Sequence, residues 1–143
     1  MADTFHSSLV KPTQDTPFHI DFSWWRENDR EWRVFLRGLI GEEQESKLAE
    51  MSGNELVDWV DPQTAEVKQI DALQYLLMTY YPKEEGEGGG TSLVESIFRA
   101  FLKNGNESLS SAQLGGILGR PAQTILRTLA GTRVYRGIRP VGA

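Results

Sequence analysis

The chain has 143 residues, of which 39% are hydrophobic and 24% charged, with a formal net charge of −5, a balance suited to one globular domain of average size or two small ones sharing a core. It does not open with basic residues ahead of an apolar run, and no apolar stretch approaches the roughly 20 residues that cross a bilayer, so a cytoplasmic location is expected, without secretion or membrane insertion. The absence of cysteine excludes a disulfide framework, a thiolate metal site and a cysteine nucleophile.

Residues 1–16 are polar apart from Phe5, Leu9 and Val10, and read as a mobile tail. From Phe18 to Trp24 apolar and polar residues alternate, which predicts a strand with Phe18, Ile20, Phe22 and Trp24 on one face. Asn28 and Glu31 stand at capping-box spacing, so a helix is expected from about Asp29, with Trp32, Phe35, Leu36, Leu39 and Ile40 on its apolar stripe. The acidic stretch from Glu42 to Met51 predicts no more than a short exposed helix or loop, closed by Ser52-Gly53-Asn54.

Residues 56–70 read as a β-hairpin whose turn contains Asp61 and Pro62, although Ala65 occupies a place where such turns often hold Gly. Asp71 is positioned to cap a helix that buries Ala72, Leu73, Leu76, Leu77 and Tyr80 and stops before Pro82. Trp24, Trp25, Trp32 and Trp59 belong to the core by their spacing, with an aromatic ligand pocket as the lesser alternative. Neither Asp58 with Asp61 nor His6 with His19 has metal-ligand spacing, and no metal or cofactor is expected.

Residues 83–91, KEEGEGGGT, are charged and Gly-rich and read as a linker. Residues 1–90 carry 8 Lys/Arg against 18 Asp/Glu, a balance of −10, whereas residues 91–143 carry 7 against 2, a balance of +5. The change of sign predicts an acidic α+β domain at 17–82 and a basic one at 92–143, the alternative being one domain whose two halves pack together.

In the basic part, Ser92 with Glu95 caps a first helix bearing Leu93, Val94, Ile97, Phe98, Phe101 and Leu102, and Gly105 stops it. Ser110 with Gln113 opens a second helix that ends at Gly119, and Pro121 suits the first position of a third. Leu114, Gly115, Leu118, Gly119 and Ile125 stand at a spacing that resembles helix-turn-helix domains of bacterial regulators. With the extended segment Arg133 to Pro140, the element order resembles a winged-helix domain over residues 92–140. Arg120 and Thr128 depart from the aliphatic positions of that pattern, and the residues after Arg133 are too few for a full wing hairpin. A wing would be one strand, a stub, or completed by another chain.

The resemblance implies duplex DNA as partner, a homodimer reading paired half-sites, and a role in transcription regulation. If the third helix enters a major groove, Gln123 and Arg127 face base edges, and Arg120, Arg133, Arg136 and Arg139 meet phosphates. The competing expectation is a protein-interaction or adaptor module, its arginines facing an acidic partner or the chain's own acidic part. Nothing in the chain matches a phosphate-cradling loop, a nucleophile elbow or a paired-histidine zinc helix, so no enzyme is expected.

Overall fold

The computed structural model describes residues 11–50, 56–61, 64–80 and 92–142, and of Tyr80 the backbone alone. In chain order these form β1 (Phe18–Ile20), α1 (Phe22–Asn28), α2 (Trp32–Leu39), α3 (Glu42–Glu50), β2 (Leu56–Val60), β3 (Val67–Asp71), α4 (Ala72–Tyr80), α5 (Leu93–Lys103), α6 (Ser111–Leu118), α7 (Ala122–Leu129) and β4 (Ile138–Pro140). Helices predominate over two small antiparallel sheets, β1 with β4 and β2 with β3, and the class is α+β.

The strand expected over residues 18–24 stops at Ile20 because Asp21 turns the chain. Its carboxylate accepts from the Trp24 amide at 3.1 Å, capping α1, and the chain then buries Phe22 and Trp25 at helical spacing. Asn28 is likewise no N-cap, since it ends α1 and donates from its side chain to the Trp24 carbonyl. Asp29 organises this corner, with one carboxylate oxygen accepting from the Glu31 amide at 2.9 Å and the other from the Trp25 indole at 3.0 Å. The second helix therefore begins at Trp32, three residues later than expected, and it buries Trp32 and Leu36 while Phe35, Leu39 and Ile40 pack at the margin. Trp25 is the hub, its ring centroid lying 5.6–6.2 Å from those of Phe22, Trp32, Phe35 and Phe98. Tilted and edge-on pairs at such distances add to the stabilisation from buried area.

The hairpin pairs Leu56 with Asp71 through Val60 with Val67. Ala65 takes φ +64°, the left-handed conformation for which glycine is better suited, and its amide donates to the Asp61 carbonyl at 2.7 Å. Pro62, Ser52-Gly53-Asn54 and the expected linker 83–91 lie outside the described residues, as do residues 1–10 with His6. Asp71 caps α4 by accepting from the Leu73 amide at 2.8 Å, and the same carboxylate receives the Arg33 guanidinium, whose Nε is 2.9 Å away. A buried carboxylate needs such partners, and Asp71 thereby ties α2 to the hairpin.

The expected separation of residues 17–82 from 92–143 does not describe the core. One continuous cluster contains Phe18, Trp25, Leu36, Leu73 and Leu77 together with Phe98, Phe101, Leu114, Ile125 and Ile138. Strand β1 pairs with β4, and Phe18 also exchanges backbone hydrogen bonds with Leu109 at 2.9 and 3.0 Å. The apolar stripes of the two parts pack against each other in this cluster. The expected tail also departs at its end. Thr13–Thr16 form a turn, and the Gln14 carbonyl accepts from the Ala112 amide at 3.1 Å, fastening this segment to the start of α6.

Relief of the left-handed alanine gives one test: Ala65→Gly is expected to stabilise the fold by about 0.5–1 kcal/mol in urea denaturation, and a loss of stability would contradict the assigned turn. A second concerns His19, whose pKa is lowered from 6.5 mainly by burial, with Asp21 opposing and Arg139 reinforcing the shift. The unfolded state then binds the proton first, so this contribution to stability is full above pH 6.5 and lost as pH falls through the folded-state value. Denaturation of the wild type and His19→Gln between pH 5 and 8 checks the sign, the variant losing less stability on acidification.

Candidate nucleic-acid interface

The geometry of α6 and α7 follows from five residues, Ser110, Gln113, Gly115, Gly119 and Pro121. Ser110 and Gln113 form a complete capping box, each side chain accepting from the other's backbone amide at 3.1 and 2.8 Å. Gly119 ends α6 at φ +66°, and both its amide and that of Arg120 donate to the Gly115 carbonyl. Gly115 faces the turn so closely that a Cβ there would stand 2.9 Å from the Arg120 carbonyl oxygen and 3.3 Å from the Ala122 nitrogen. Pro121 stands at the N-cap, one residue before the helical position expected for it, and its carbonyl accepts from Thr124 and Ile125.

On α7, Ile125 and Leu129 are buried and lock the helix onto the core. Gln123 and Arg127, one turn apart, are exposed on the remaining surface, and Arg120 is exposed in the turn before them. Thr128, a departure from the aliphatic pattern, turns its hydroxyl to the Thr124 carbonyl at 3.0 Å and so has a partner within the helix. Arg133 is also exposed, its guanidinium 5.9 Å from the Tyr135 ring centroid.

Arg136 and Arg139 do not join this surface as free cations. Arg136 pairs with Glu95, and its guanidinium lies 4.0 Å from the Phe35 ring centroid, while Arg139 pairs with Asp21 at 2.9 Å and lies 5.2 Å from the centroid of Trp24. Neither is therefore an unpaired cation of the kind expected for a phosphate contact. Glu95 is diverted too: Ser92 accepts from its amide, but its carboxylate is engaged with Arg136 and Arg99, so only half of the expected capping box forms. Among residues 133–140 only Ile138–Pro140 are strand. The preceding Tyr135–Ile138 turn has positive φ at both Arg136 and Gly137, and the Ile138 amide donates to the Tyr135 carbonyl at 2.9 Å. Gly137 is confined against Trp25, where a Cβ would approach the Trp25 Cβ to 2.9 Å.

Sequence reasoning missed Gln14, whose side-chain amide donates to Gln123 Oε1 at 3.0 Å. No local signal joins two glutamines 109 positions apart. Among the described residues, no group of three or more His, Cys, Asp or Glu side chains is arranged to hold a metal ion, and no helix is long and apolar enough to cross a membrane. Compared with protein-family models, with curated proteins and with solved structures, the chain matches none.

Two adjacent glycines separate packing from propensity. Gly116 has open space around its Cα, so Gly116→Ala is expected to stabilise by about 0.8–1 kcal/mol through helix propensity. Gly115→Ala should instead destabilise by about 1–3 kcal/mol through the steric contact. Thermal melts that move in the same direction for both would refute the close approach of the α6–α7 turn.

Proposed function

We propose that the chain is a non-enzymatic DNA-binding protein of the cytoplasm, a transcription regulator that belongs to the helix-turn-helix class and contacts duplex DNA as a homodimer through α7. The observation that carries this reading is the division of α7 into two faces. Ile125 and Leu129 are buried, while Gln123 and Arg127 stand exposed with the Arg120 turn beside them. Glutamine can pair bidentately with adenine and arginine with guanine, so this face holds side chains suited to base edges. Arg120 and Arg133 then serve as phosphate contacts. The acidic net charge of the whole chain does not oppose this, because the excess positive charge lies in residues 91–143.

A second reading, a protein-binding module whose basic residues are occupied within the chain, is favoured by the pairs Arg139–Asp21 and Arg136–Glu95 and by the hydrogen bond from Gln14 to Gln123. Under the DNA reading Gln14 must release Gln123 before it can meet a base.

Fluorescence anisotropy of the full chain on mixed duplex DNA distinguishes the two. With two phosphate-binding arginines per subunit, log K should fall against log salt with a slope of roughly −1.8 per subunit, so a fourfold rise in salt weakens binding about twelvefold. On a selected sequence, Gln123→Ala and Arg127→Ala should each cost about 1–3 kcal/mol, whereas Arg139→Gln should leave the slope unchanged. Absence of salt-dependent binding would exclude the DNA reading in favour of the protein-binding one.

A further inference from the structure

A cavity of about 310 Å³ separates the β2–β3 hairpin from the end of β1, the start of α1 and the loop after α5. It lies at the lower end of the roughly 300–1,000 Å³ typical of small-molecule sites. The strand register explains the opening. Trp59 faces Lys68 across the hairpin, both line the cavity, and Trp59 is only partly buried although it packs against the core. Ile20, Phe22, Ile70 and Met78 supply apolar wall beside the indole.

The opposite rim is held in place by Asn106. At φ +62°, its side-chain amide donates to the Ile20 carbonyl and its side-chain oxygen accepts from the Ile20 amide, both at 2.9 Å, so it substitutes for a strand neighbour. The rim is thus shaped without a ligand, which reduces the ordering cost of binding.

The lining is also unbalanced in charge. Asp21, Asp61 and Glu107 carry negative charge against Lys68 alone among the described lining residues, while burial disfavours the charged form of the His19 imidazole. Lys68 lies 3.1 Å from Asp61, and Arg139, outside the lining, lies 2.9 Å from Asp21. Among the described residues those pairs leave Glu107 without an ion pair and an excess of one negative charge at the site. An anion would meet this charge unfavourably. A cation would satisfy it and can also be attracted to the indole of Trp59, a favoured partner for ammonium groups.

We propose that this cavity binds a small organic cation, an alkyl- or arylammonium, with its apolar body against Ile20, Met78 and Trp59 and its charge toward Asp61 and Glu107. The site is independent of the DNA reading, and neither stands or falls with the other.

The test is ¹⁵N–¹H NMR titration of the intact wild-type chain with benzyltrimethylammonium, and in parallel with phenylacetate and benzyl alcohol. The Trp59 indole N–H and Asn106 side-chain amide signals should shift saturably with the ammonium probe, with a dissociation constant of about 1 mM or lower. Phenylacetate should bind at least about tenfold more weakly on electrostatic grounds. Glu107→Gln, a change at an exposed side chain, should weaken the cation roughly fivefold, and Trp59→Leu more than Trp59→Phe, which keeps a π face. The proposal is overturned if about 10 mM of the ammonium probe leaves both signals unmoved, or if the anion or the alcohol binds as tightly. The wild-type titration decides this even if a Trp59 variant fails to fold.

Discussion

Strand β1 is the element on which the other contacts depend. Only three residues long, it is bonded by β4 along one edge, while Phe18 meets Leu109 and Ile20 meets the Asn106 side chain on the other. Its polar backbone is thereby satisfied while Phe18 and Ile20 are almost completely buried, and that combination is what allows a strand to sit at the centre of a core. The segment on its C-terminal side continues the seam, since the Asp21 amide donates to the Gly137 carbonyl at 2.7 Å and the Asp21 carboxylate receives Arg139. Removal of β1 would leave α5 and β4 without the strand that packs against them.

This arrangement gives the charge asymmetry a structural meaning. Where the acidic and basic parts meet, the arginines are not merely opposed to carboxylates but laid near aromatic rings, Arg136 by Phe35 and Arg139 by Trp24. A guanidinium can bury its flat faces against a ring while its edge keeps a carboxylate, so these two residues seal the core margin as well as balance charge. Arg120, Arg127 and Arg133 make no comparable ion pair among the described residues. The seven basic residues of the C-terminal part therefore divide by task, and a total of charge along the sequence does not distinguish them.

Local features of the fold were legible in the sequence for physical reasons. The Ser110–Gln113 box, the turn at Gly119, the hairpin of residues 56–70 and the Asp71 cap each depend on residues close to one another in the chain. The left-handed Ala65 was visible as the wrong residue for its turn. What remained illegible was long-range. Alternation over residues 18–24 predicts a strand, but it carries no information about which edge bonds to it or about Asp21 preferring to cap a helix. The opposite charges suggested two domains because a charge pattern does not reveal that two apolar stripes are complementary. At the candidate interface, the exposed face of Gln123 and Arg127 followed from helical period, whereas the commitment of Arg136 and Arg139 required partners at positions 95 and 21.

The bridge between Asp21 and Arg139 spans 118 positions. A chain whose central strand acquires its neighbour only from such a distance must close a large loop before that contact returns any free energy, a topology associated with slow folding. During synthesis, Phe18 and Ile20 emerge long before Ile138 exists to cover them. In that interval two apolar side chains that end up buried lack their cover, the general circumstance in which aggregation competes with folding.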